Sequence, residues 1–155
     1  MTKEQKHFIV KKLIPFIMRE QGRGFAMSRW WFEREPGSQC TGDGIRRRVP
    51  NCGTVCCIGG SVQVLRGEEG HFFSPTLYVR EALGLSEDET VGLCYNWAES
   101  EGAFNSEVPF AWPMKFRSAF ARAKTPLGKA KVACRLLKEV VRTEGKCLRL
   151  YEGAE

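Results

Sequence analysis

The chain contains no apolar run long enough to span a bilayer, and only two histidines, His7 and His71. Lys11, Lys12 and Arg19 interrupt the apolar residues near the start, and Gln63 and Arg66 interrupt the next apolar stretch. No membrane association is expected. The opening Thr2-Lys3-Glu4-Gln5-Lys6 lacks the apolar core of a secretion signal, so a cytoplasmic location is expected. No Gly-x-x-x-x-Gly-Lys spacing occurs, which excludes a P-loop. There is no internal repeat and no low-complexity run, which argues against a solenoid or a fibrous chain.

The seven cysteines form an odd set, and in a 155-residue chain without a signal they do not suggest a disulfide scaffold. Most are expected to be reduced, buried and inert, since a free thiol packs like a small hydrophobe. The length suits one domain with its own core, so residues 1–155 read as a single helical domain with a tail over 146–155. The net charge is +6 and unevenly spread. Seven acids stand against one arginine between Arg80 and Glu107, whereas eleven lysines and arginines stand against Glu139 and Glu144 between Phe110 and Arg149. A basic tract of this kind attracts phosphates, but its first reading is the wet side of amphipathic helices.

Helical spacing dominates the pattern. Ile9, Leu13, Phe16 and Ile17 share a stripe in a first helix over about Lys3 to Arg19, which Pro15 should kink or divide. Phe25 to Phe32 reads as a short helix or turn, and Glu35 to Gly53 as a long loop carrying Arg46-Arg47-Arg48. Thr54 suits a helix cap, and Val55 to Leu65 is polar only at Ser61 and Gln63. A buried central helix is therefore expected over about 54–66. Ser74-Pro75, Ser86-Glu87-Asp88-Glu89, Trp112-Pro113 and Thr125-Pro126 are four further helix starts. The last helix, to about Thr143, carries Ala133, Leu136, Leu137, Val140 and Val141 on one stripe, with Lys131, Arg135, Lys138 and Arg142 off it. Cys147 to Tyr151 reads as a short strand. The fold class is all-α, a single compact domain of about six helices around the buried one.

The pattern Cys52-Gly53-Thr54, two variable positions, Cys57-Ile58, one variable position and Gly60 resembles a family of small, uncharacterised bacterial and bacteriophage proteins. Phe25-Ala26-Met27 with Trp30, Leu83-Gly84-Leu85 before Glu87 to Glu89, and Trp112-Pro113 before the final helix extend the likeness. Ala26, where that family has an acid, and the Arg-rich loop depart from it. The resemblance implies a compact helical fold and a bacterial or phage origin, and it supplies no activity.

Three sites are candidates from the residues. Free amides around Gly53 and Thr54 at a helix start, with Arg46, Arg47 and Arg48 upstream, have the chemistry to hold a phosphate or carboxylate. Zinc would draw on Cys40, Cys52, Cys56, Cys57 and His71, although the paired ligand spacing of structural zinc sites is incomplete. A nucleophilic thiol would be Cys52, Cys56 or Cys57, with His71 or His7 as base. The leading expectation is a non-enzymatic protein that binds an anionic ligand, a nucleotide or nucleic-acid phosphate, with no resident cofactor. The alternatives are a protein–protein interaction module, such as a phage-encoded inhibitor of a host defence protein in the host cytoplasm, and a cysteine-dependent enzyme.

Overall fold

Thr2 opens the first helix by a reciprocal cap. Its hydroxyl accepts from the Gln5 N–H at 3.2 Å, and the Gln5 amide oxygen accepts from the Thr2 N–H at 2.7 Å. The structure, a computed structural model, describes residues 1–25, 31–33, 54–67, 75–94 and 112–148. The first helix runs as α1 (Lys3–Phe8), a π-helical segment (Ile9–Leu13) and α2 (Ile14–Met18), right-handed through both junctions. Pro15 neither breaks nor divides it. The proline lacks an N–H and its ring crowds the carbonyl one turn back, and the wider π turn just before it absorbs both defects. The Ile14 N–H accordingly reaches the Ile9 carbonyl.

Beyond Met18 the chain turns sharply through Glu20 and Gln21, both at positive φ. Gly22 follows at φ +77, where a β-carbon would stand 2.8 Å from both the Ala130 side chain and the Pro126 carbonyl. The absence of a side chain lets this turn lie directly on the start of the last helix.

Five more helices follow: α3 (Ile58–Arg66), α4 (Pro75–Leu83), α5 (Glu87–Cys94), α6 (Met114–Arg122) and α7 (Pro126–Thr143). Counting α1 to α2 as one rod, the described residues form six helices, an all-α arrangement. Two three-residue strands, β1 (Trp31–Glu33) and β2 (Thr54–Cys56), pair antiparallel with Thr54 opposite Glu33.

That pairing corrects the expected start of the central helix. Thr54 is not a helix cap; it lies in β2, where β-branched Thr54 and Val55 suit an extended backbone. The cap falls to Cys57, whose extended backbone lets its sulfur accept from the Gly60 N–H at 3.4 Å. From Ile58 to Val64 every residue of α3 is buried, as a central helix requires. Two smaller corrections concern the ends of elements. Phe32, expected in a short helix or turn, lies in β1, and Lys146–Leu148 forms a 3-10 turn where a strand was expected from Cys147. Residues 26–30, 34–53, 68–74, 95–111 and 149–155, with the expected Arg-rich loop and most of the C-terminal tail, lie outside the described residues.

One apolar cluster joins the helices. Ile9, Leu13 and Ile17 of the first rod meet Ile58 and Val62 of α3, Leu83 of α4, Phe120 of α6 and Leu136, Leu137 and Val140 of α7. Each large side chain so buried contributes about 1.5–3 kcal/mol. Phe16, on the rim of the stripe, is half-buried under the Arg19 guanidinium, 3.5 Å from its ring centre. Two of the expected caps form, at Ser86 and Thr125. Ser86 Oγ accepts from the Glu89 N–H while Glu89 accepts from the Ser86 N–H, and Thr125 Oγ1 accepts from the Gly128 N–H at 3.0 Å.

Candidate functional site

The apolar stripe of α7 commits one face to the core, and so dictates what the other face presents. Ala133, Leu136, Leu137 and Val140 are buried, while Lys131, Arg135 and Lys138 are exposed at positions i, i+4 and i+7. Those three cations therefore follow one line along the helix, with rises of roughly 6 and 4.5 Å between neighbours. Across from them the end of α6 places Arg122, also exposed.

Between these banks runs a groove of about 670 Å³. Its floor is apolar: Ile14 and Met18 from α2, Ala119 from α6, and Val132 and Cys134 from α7. Along α7 the lining reaches from Gly128 to Lys138, a rise of about 15 Å. The Cys134 thiol donates to the Ile14 carbonyl at 3.8 Å, a weak tie between the two walls. Burial pushes that thiol up to about 11, against the opposing pull of Lys138.

The rim charges stand without acid partners. Among the described residues, Arg122, Lys131, Arg135 and Lys138 enter no ion pair. Glu139 is the one carboxylate between Trp112 and Thr143, and it is taken up elsewhere. It accepts two bonds from Arg142, at 2.8 and 2.9 Å, and one from Lys115 at 3.4 Å. The Arg142 bonds, followed by those of Lys115, hold its carboxyl down at about 2. Four neighbouring cations, none of them ion-paired among the described residues, make a positive field that draws in anions.

Most residues of the sites expected from the sequence fall outside the described residues. Arg46, Arg47, Arg48 and Gly53 lie outside the described residues, as do Cys40, Cys52 and His71. Thr54 spends its backbone in the β ladder and offers no cluster of helix-start amides. At the true start of that helix Cys57 is buried and bound to the Gly60 N–H, an arrangement that makes it a cap. Cys56 has its backbone in β2. His7 is exposed on α1. Among the described residues no three His, Cys, Asp or Glu side chains are grouped to hold a metal ion. The groove was missed as a site because its cations read as a solvated face; the signal present was their i, i+4, i+7 register.

No helix among the described residues is long and apolar enough to cross a membrane. No protein-family model, curated protein or solved structure matches the chain.

Proposed function

We propose that this is a non-enzymatic binding protein that holds an anionic ligand along the groove between α2, α6 and α7. The observation that carries it is the ring of Arg122, Lys131, Arg135 and Lys138 around an apolar floor, with no carboxylate among the described residues that line the groove. Anion capture, expected from the sequence around Arg46, Arg47, Arg48, Gly53 and Thr54, is proposed here for a different surface. Two ligand chemistries present negative charge at repeated intervals, a phosphodiester chain and an acidic polypeptide, and both suit cations repeated along a helix.

A binding role agrees with three of the seven thiols, none of them a nucleophile expected from the sequence. Burial raises Cys94, Cys134 and Cys147 above the ordinary thiol range, the opposite of the depressed value a nucleophilic thiolate needs. The bacterial or bacteriophage origin implied by the resemblance belongs to the same reading, as does antagonism of a host protein. A small basic protein that occupies an acidic surface needs no chemistry of its own.

The test is fluorescence anisotropy with two labelled probes, an oligonucleotide and a poly-glutamate peptide, at increasing salt. At least one probe should bind and weaken steeply as salt rises. Replacing Arg122, Lys131, Arg135 and Lys138 by alanine should abolish that binding without unfolding the protein, because all four are exposed. Unchanged binding by the quadruple variant would overturn the assignment, as would indifference to both probes at low salt.

A further inference from the structure

We infer that the anion is carried by an acidic amphipathic helix of a partner protein, laid along α7 with its apolar stripe on the groove floor. This rests on the reading of the groove as an anion site and adds the kind of partner. The floor decides between the two polyanions. Ile14, Met18 and Ala119 offer carbon surface that a phosphodiester chain has nothing to cover. Among the described residues that line the groove, none is an aromatic ring to stack a base and none a hydroxyl or amide side chain to read one. An amphipathic helix supplies both missing halves, apolar anchors for the floor and carboxylates for the rim.

Dimensions and charge agree. A lining that rises about 15 Å along α7 accommodates close to three turns of a second helix, enough for anchors at i, i+3 or i+4, and i+7. Lys131, Arg135 and Lys138 are spaced as Asp or Glu recur along one side of such a helix, and Arg122 meets acids on its other side. The half-buried Ile14 and Met18 keep part of their apolar surface in water, which a docked helix would remove. The four unpaired cations set the sign of the partner's flanks, and the two features together specify acid beside apolar.

The experiment uses the full chain and synthetic helical peptides of about 16 residues, a length that covers the groove. One peptide carries leucines at i, i+3, i+7 with glutamates flanking them; a second has the same composition scrambled; the third probe is a labelled oligonucleotide. The patterned peptide should bind, and scrambling should weaken it at least about tenfold. Lys131→Glu with Arg135→Glu should lose that peptide and gain a version with lysines in place of its glutamates. Equal binding of patterned and scrambled peptides overturns the helix inference. Tighter, rim-dependent binding of the oligonucleotide overturns it too, while leaving the groove an anion site. Failure of all three probes overturns the inference and the anion reading together.

Discussion

The Trp112 indole N–H donates to the Leu93 carbonyl at 3.0 Å, and both residues are buried. Leu93 lies in the last turn of α5, where carbonyls have no partner within the helix, and the indole supplies its carbonyl with a donor. The same ring stands edge-on to Phe120 with centroids 5.4 Å apart, and so ties the start of α6 to the core. Trp112→Phe keeps an aromatic ring but removes the donor, and should cost about 2–3 kcal/mol in urea unfolding. Trp112→Ala adds a cavity and should cost about 3–5 kcal/mol.

Gly145 turns the chain after α7 at φ +92. A β-carbon there would stand 2.7 Å from Leu85 and 2.8 Å from the Glu89 carboxyl, the group that caps α5. Gly145→Ala combines a strained backbone with that collision and should destabilise by about 1–3 kcal/mol. Differential scanning calorimetry reads it as a fall in Tm.

Glu139 supplies a pH signature. Its carboxyl is held at about 2 by Arg142 first and Lys115 second, below its unfolded value near 4.5. A depressed folded value means that the ion-pair stabilisation is fully present above pH 4.5 and is lost as pH falls from 4.5 towards 2. Carboxyl chemical shifts followed by NMR should place the Glu139 midpoint near 2, and Arg142→Met should move it upward.

The thiols offer a check on burial. Cys94 is raised by desolvation first and by its neighbour Cys57 second, and Cys134 stands at about 11 through burial. Iodoacetamide at pH 8 should modify both slowly in the native protein and rapidly in urea, as mapped by peptide mass spectrometry. Rapid native alkylation of Cys134 would mean that the groove floor opens.

Much of the fold was legible because its signals are local. Thr125-Pro126, the stripe through Val140 and Gly145 just past the end gave the span of α7, and Ser86 to Glu89 gave the start of α5. Thr54 misled because a residue that suits a cap also suits a strand. Its partner Glu33 lies far upstream, and nothing near Thr54 announces that pairing. Cysteine at 57 is an uncommon cap, so the real start of α3 carried little signal. The groove was invisible for a related reason. Periodicity shows that Lys131, Arg135 and Lys138 share a line, but not that Arg122 stands opposite or that Ile14 and Met18 form a floor between them. Those relations come from tertiary packing.

The most direct measurement is an amide chemical-shift map of the labelled protein titrated with the patterned acidic peptide. Shifts confined to Ile14, Met18, Ala119, Arg122, Lys131, Arg135 and Lys138 and their neighbours are predicted. Shifts clustered on α4 or α5, with the α2–α6–α7 groove unmoved, would contradict the account.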